Sequence, residues 1–279
     1  MSGSDRIFKW LSGGILLLFV LSVAGLLAAD AAYVDGKSLL AVFSEDYVLN
    51  ALILSFVTSV IATLLALLVG IPSAYVLSRS EFRGRALADT VVDLLIVMPV
   101  LVIGISLLVV FRVGGDLTQS SLGLLRTVGN VINAVGDFFI YTRAGVVLAQ
   151  FFCAVSYVIR TIKTSFDEID SRTEQVAMTL GCTLWCAFRR ITLPLARHGI
   201  IAGAMMGWLR AFGVFGAVII VGGAVRNRTE VLPTAIYLEI SIGRLEAAIT
   251  ISLLMVLVAT VMLTGLRWGL GTGISGKKG

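Results

Sequence analysis

Six apolar runs organise this chain, at about residues 10–32, 48–78, 94–111, 144–166, 197–223 and 246–266. Each approaches or exceeds the roughly 20 apolar residues that a helix needs to cross a bilayer. Lipid offers no partner to backbone N–H and C=O groups, so runs of this kind must satisfy them internally, as helices. The pattern predicts an all-α polytopic membrane protein with six transmembrane helices. No charge interrupts the second run from 48 to 78, which leaves that span room to tilt or to project beyond the bilayer. The first run follows Arg6 and Lys9 and ends near Leu27, Ala28 and Ala29, as a secretory signal would. Its apolar stretch, 11–29, is longer than the about 7–15 residues of a signal core, so it reads as an uncleaved helix. The longest polar connection, 112–143, carries Leu122, Leu125, Val128, Ile132 and Val135 at helical spacing. That spacing predicts an amphipathic helix on the outer membrane surface.

Composition agrees with the pattern. Of 279 residues, 58% are hydrophobic and 14% charged, against roughly 45–50% and 25% in soluble domains. A net charge of +5 gives no nucleic-acid signature; its distribution is what informs. With both termini placed inside, fourteen Lys and Arg residues fall on inner segments or inner span ends and seven on outer ones, and Arg210, deep in span five, counts for neither side. Positive residues concentrate on the cytoplasmic side, so both termini and the 167–196 loop are expected there. The chain reads as one domain over 1–279, with no repeat, a core over 48–266 and a cytoplasmic loop over 167–196.

That loop contains EQVAMTLGCTLWCAFRRITLP, residues 174–194. Ser171 and Glu174 fit a capping box that would start a short helix. Gly181 suits the left-handed position that ends one. A second short helix over 184–191 would follow, and Pro194 would open the next span, where its missing N–H costs nothing. Cys182 and Cys186 stand four apart, and with Cys153 they make an odd count. Two of the three lie in a loop assigned to the cytoplasm, so they read as reduced thiols packing as small apolar groups, and a metal site is not expected.

The Gly181, Ile191, Leu193, Pro194 spacing resembles the coupling loop of ATP-binding-cassette importer permeases, written EAA-x3-G-x9-I-x-LP. Here Gln175, Val176 and Ala177 stand at the Glu-Ala-Ala position, and the acid is one residue earlier, at Glu174. The resemblance implies the type I, MetI-like permease fold with a cytoplasmic coupling helix. It makes Glu174, Gln175, Ala177, Gly181, Ile191, Leu193 and Pro194 the residues that couple to an ATPase. From span five onward the chain is similar to the molybdate, tungstate and sulfate branch. Arg210, Ala211, Gly213, Phe215, Gly216 and Ala217 match its Arg-Ala-x-Gly-Glu-Phe-Gly-Ala stretch, with Val214 where a Glu is common. Thr229, Leu232, Pro233, Ala235, Ile236 and Tyr237, then 245–248 (LEAA), match its next two motifs.

The resemblance further implies an ATP-driven, binding-protein-dependent importer subunit, not itself an enzyme, in a prokaryotic inner membrane. Its partners would be ABC ATPase subunits that hold ATP and Mg, a second permease copy or paralogue, an extracytoplasmic substrate-binding protein, and lipid, with no nucleic acid. The chain itself would bind no cofactor and no metal. Ferric iron, thiamine and polyamine permeases share the coupling loop and are the alternative cargo classes. A secondary transporter would need ionisable groups in several spans and usually an inverted repeat. A membrane enzyme would need an acid–base or metal cluster, for which a single histidine, His198, is poor material. The stretch 271–277 (GTGISGK) has P-loop spacing, but Lys278 stands where Ser or Thr should bind Mg; it reads as a disordered basic tail near anionic lipid.

Arg210 lies near the middle of the fifth run, where a charge is costly unless it faces water or a partner. It either eases an anion along a path or ties span five to a neighbour's carbonyls or carboxylate. Pro99 after Met98 marks a kink in span three. Spans three and five line the pathway in the family resembled, which places Arg210, Met98, Pro99 and Met206 near a gate. Gly199, Gly203 and Gly207 form a small-residue face on span five, for a gate, a subunit contact or plain helix packing.

Overall fold

The computed structural model describes residues 3–34, 42, 44–117 and 123–271. The predicted basic tail, 272–279, lies outside the described residues, as does Leu122. Every regular element described is helical: α1 (Gly3–Tyr33), α2 (Asp46–Arg79), α3 (Arg85–Val97), α4 (Val100–Leu117), α5 (Gly123–Phe139), α6 (Arg143–Asp167), α7 (Arg172–Thr179), α8 (Leu184–Ala187), a π-helical turn (Phe188–Thr192), α9 (Leu193–Leu195), α10 (Arg197–Phe212), α11 (Gly216–Val221), α12 (Leu232–Ser241) and α13 (Leu245–Gly271). Unbroken helices long and apolar enough to cross a membrane are Ile7–Tyr33, Asp46–Arg79, Arg143–Asp167 and Leu245–Gly265. These correspond to expected spans one, two, four and six.

Expected spans three and five are not straight helices. Span three divides at Met98 and Pro99 into α3 and α4, bent by 114°. Pro99 has no N–H to give, and the residue before a proline is driven out of the α region; Met98 sits at φ −59, ψ 130. Span five ends as α10 at Phe212 and resumes as α11 at Gly216. The two broken spans meet closely. A Cβ added at Gly104 of α4 would lie 2.8 Å from the Ala217 Cα, and one at Gly216 would lie 3.0 Å from Leu101. Only hydrogen fits at this crossing.

The core of the bundle is α2, α6 and α10. Its apolar centre includes Ala62, Ala66, Ala154, Val158, Ile162, Phe166 and Ala211. Lipid tails are as apolar as leucine, so helices associate through close packing of small residues more than through water exclusion. Gly199, Gly203 and Gly207 do this: added Cβ atoms there would strike Ser165, Ile162 and Val158 of α6. The glycine face is a packing face within the chain. At one end, α2, α10, α12 and α13 meet around Tyr47, Val48, Trp208, Phe212, Leu232 and Ile251. There Ser55 of α2 accepts the Leu232 amide at 2.7 Å, satisfying a free N–H at the start of α12.

The α3 half-helix buries no residue fully; Ala88, Val92 and Leu95 rest on the core and charge latches it. Arg160 of α6 donates to Asp89 at 2.9 Å, to the Asp89 carbonyl at 2.8 Å and to Asp93 at 2.6 Å. The expected amphipathic helix exists as α5, but a different face is inward. Gly136 fits beside Phe111 of α4, and Phe139 stacks on Phe111 at 6.0 Å. Gly129 and Gly136 are buried while Val128 and Val135 are exposed. Glycine at 136 lets α5 approach α4, which periodicity of the large residues alone did not reveal.

Candidate functional site

The 167–196 loop folds as an elbow of α7, α8, the π turn and α9 between α6 and α10. It differs from the expected capping box. The Ser171 side chain makes no cap bond; Asp170 accepts the Arg172 amide through its carboxylate at 2.9 Å and the Thr173 amide through its carbonyl at 3.1 Å. Glu174 is free for other work because stronger donors reach it. Its carboxylate, 4% exposed, accepts from the Tyr75 hydroxyl at 2.9 Å, the Arg79 Nε at 2.9 Å and the Thr192 hydroxyl at 2.8 Å. Three donors, one of them a guanidinium, outweigh the single backbone N–H that a capping box would offer this carboxylate. The first strand of the elbow is thereby tied to α2 and to its own last turn.

The end of α2 is tied further. Arg79 also donates to the Ile169 carbonyl at 2.8 Å, and Ser78 donates to Asp167 at 2.6 Å. Lys163 pairs with that same Asp167 at 2.9 Å. An aromatic row runs outward from the core: Phe166 against Tyr75 (5.8 Å), Tyr75 against Phe188 (4.7 Å) and Phe188 against Trp185 (5.7 Å). The elbow is therefore a rigid projection of α2 and α6.

Gly181 takes φ +88, and the Cys182 amide reaches back to the Ala177 carbonyl at 3.0 Å while the Gly181 amide reaches Met178 at 3.0 Å. This is the left-handed Schellman ending expected of that glycine. Thr183 caps α8 by accepting the Cys186 amide at 3.3 Å. The expected helix over 184–191 stops at Ala187 and widens into the π turn, where the Leu193 amide reaches the Phe188 carbonyl. Pro194 follows at once, and a wider turn removes the clash its ring would make with a carbonyl four residues back. Cys182 and Cys186 are joined as a disulfide, not held as separate thiols, their Cα atoms 5.6 Å apart. A spacing of four over a helix start puts the two within disulfide reach. Cys153 is free and buried.

The outer face of the elbow is apolar. Val176, Leu180, Leu184 and Trp185 are exposed by 59%, 83%, 57% and 68%. Gln175 is exposed, Ala177, Ile191 and Leu193 are half-buried, and Pro194 is exposed. The sequence-predicted coupling residues thus divide: Glu174 faces inward as the joint, and Gln175 and the Gly181 turn carry the exposed tip. Tyr75, Arg79, Thr192 and Phe188 were not among the residues expected to act here.

The four expected gate residues lie on the two broken spans, Met98 and Pro99 at the α3–α4 bend and Met206 and Arg210 on α10. Met98 packs against the core of α4, α6 and α11, and Met206 is 48% exposed. Arg210 stands near the end of α10 with its guanidinium 5.3 Å from the centre of the Tyr157 ring. Its Nε is buried without a hydrogen bond. Neither a carboxylate nor a carbonyl takes it among the described residues; the partner is the face of a ring, a contact strengthened by low dielectric. Val214 is buried, 2% exposed, in the α4–α6–α11 core.

Comparison with known proteins fits this geometry. The molybdenum transport system permease protein of Mycobacterium bovis is 33% identical over 255 residues, 91% of this chain and 92% of that protein. The molybdate/tungstate transport system permease protein of Thermococcus kodakarensis is 34% identical over 187 residues, 67% of this chain and 66% of that protein. A bacterial alginate ABC transporter, solved in complex with its pentasaccharide-bound periplasmic protein, superposes with a TM-score of 0.68 at 18% identity, over 94% of each chain. The family described as "binding-protein-dependent transport system inner membrane component" matches residues 62–268. With three-quarters of its length in that match, the chain belongs to the binding-protein-dependent inner-membrane transport components.

Proposed function

We propose that this chain is the membrane permease subunit of an ATP-driven importer that carries an oxyanion, molybdate or tungstate, into the cytoplasm by alternating access. The observation that carries the reading is the elbow: an exposed apolar tip on a projection that Glu174 locks to α2. A water-facing patch of Val176, Leu180, Leu184 and Trp185 is unfavourable in isolation and marks a surface for a partner. The partner is a pair of ATPase subunits, which hold ATP and Mg. Their closure moves the tip, and the clamp passes the motion to α2, α6 and α10.

Sidedness follows from charge. The elbow end is cytoplasmic, because segments on that side hold twice the Lys and Arg of the others. The opposite end, with 222–231 and the start of α2, meets an extracytoplasmic binding protein. The bundle works with a second copy or paralogue, and the pathway passes the α4–α11 crossing and Arg210. The names of the similar permeases support the cargo class. So does energetics: a dianion entering a negative-inside cell works against about 4.6 kcal/mol per 100 mV, at about 2.3 per charge, so scarce oxyanions need a driven route.

Reconstitution tests this. The permease with its ATPase and binding protein in proteoliposomes should take up tungstate only when ATP is supplied. Uptake without the ATPase would point to a secondary transporter, and uptake of ferric iron, thiamine or a polyamine in place of tungstate would give the cargo to another class.

A further inference from the structure

At the end of the bundle away from the elbow, Glu230 is 1% exposed and neither of its carboxyl oxygens has a hydrogen-bond partner. The nearby cations are engaged elsewhere. Arg226 pairs with Glu239 and lies 4.1 Å over the Tyr47 ring. Arg244 pairs with Glu45 at 2.6 Å and with Glu239 at 3.4 Å. A carboxyl buried in this way, without an ion pair of its own, is driven toward its protonated form. Burial pushes it up to about 7, with Glu239 adding to the rise and Arg226 and the Asn227 amide opposing it.

Glu230 borders a cavity of about 260 Å³ whose polar lining also includes Asn50, Asn227 and Arg143, with Ile53 and Val57 of α2 as an apolar wall. Asn50 donates to the Asn227 side-chain oxygen at 2.9 Å, which occupies that acceptor and leaves amide N–H groups to spare. Arg143 donates its Nε to the Arg228 carbonyl at 3.0 Å and has no ion pair among the described residues. The cavity is thus lined by donors: a guanidinium, amide N–H groups and a carboxyl that holds a proton near neutrality. A cation would suit an ionised Glu230 but would meet Arg143. An anion with acceptor oxygens on every side matches the guanidinium, the amide N–H groups and the protonated carboxyl, and the volume admits one together with water that can serve the Asn50 oxygen.

We propose that this cavity is a way-station for the tetrahedral oxyanion where it enters the permease, Arg143 supplying charge and Glu230, Asn50 and Asn227 supplying hydrogen bonds. The proposal rests on the oxyanion reading above. Dianion and ionised Glu230 repel each other, so binding above neutral pH takes up a proton at that carboxyl. The charged groups around it are Arg226 and Glu239, with Arg143 across the cavity.

The experiment is tungstate uptake by the complete transporter (permease, ATPase and binding protein) in proteoliposomes, at outer pH 6 and pH 8. For a group titrating near 7, the protonated share falls from about nine-tenths to about one-tenth between these values. Wild-type uptake efficiency should therefore fall about tenfold relative to Glu230→Gln, which stays neutral and keeps a donor. Arg143→Gln should lower efficiency about tenfold or more at both pH values, and Arg143→Lys should restore part of the loss. If Glu230→Gln imports tungstate with a pH profile that overlays wild type, the way-station is wrong and the oxyanion reading stands. If the wild type imports no tungstate with ATP present, that reading fails and takes the way-station with it.

Discussion

Two buried glutamates stand at opposite ends of this bundle, and they are built in opposite ways. Glu174 accepts from Tyr75, Arg79 and Thr192, three donors on two separate parts of the chain. Glu230 has no side-chain donor and no ion pair, although it is buried at least as deeply. A saturated buried charge is a joint: its partners fix its geometry, and removing one leaves the others stranded. An unsaturated one beside a cavity is a place where something arrives. The same residue type thus serves as a mechanical connection at the elbow and as part of a receiving surface at the far end. The difference lies in the partners that the fold brings near, not in the residue.

Ranked by effect on folded stability, four variants would break or sharpen this contrast. Glu174→Ala comes first. It strands Arg79, whose side chain is 13% exposed, and losing one partner of a buried pair costs about 3–5 kcal/mol. Thermal unfolding of the detergent-purified complex should show a single large drop.

Glu230→Gln should have the opposite sign. A carboxyl raised from an ordinary value of 4.5 to about 7 opposes folding once it ionises. Wild-type stability should therefore be full below about pH 4.5, decline through the window up to 7, and level off above it. The Gln variant should lose this slope and be the more stable protein at pH 8, as melting curves across that range would register.

Gly104→Ala follows. An added methyl meets backbone at 2.8 Å, and overpacking of this kind costs about 1–3 kcal/mol. Assembly should survive while tungstate flux falls, because the α4–α11 crossing can no longer close as tightly. The smallest stability effect belongs to Leu180→Glu. The residue is 83% exposed, so melting should move within about 0.5 kcal/mol, yet co-purification of the ATPase should be lost.

Much of the elbow was legible in the sequence, and the reasons are local. Gly181 announced a left-handed turn, and the turn is there at φ +88. Pro99 announced a break, though its 114° size depends on where α3 is latched, and Arg160 lies 67 residues or more from the two aspartates that hold it. Glu174 was legible as important and illegible in role. Its partners Arg79 and Tyr75 are 95 and 99 residues away, and only the packing of α2 on α6 brings them together. The local capping box lost to those distant donors. The break in span five, at Gly213, Val214 and Phe215, has no proline to advertise it. Cys182 and Cys186 read as reduced thiols from their odd count and loop, and the structure joins them, because the spacing of four that suits packing also suits a bridge. Glu230 gave no sign at all, since an acid in a polar connection reads as solvated until the fold closes over it.

The most direct test of the joint is the number of ATP molecules hydrolysed per tungstate imported by Glu174→Gln transporter in proteoliposomes. Gln keeps the shape of the side chain and loses the charge that holds Arg79. The expected result is an assembled complex that hydrolyses ATP with a ratio clearly above wild type. An unchanged ratio in an assembled complex would contradict the transmission of motion from the elbow to α2 through this carboxylate.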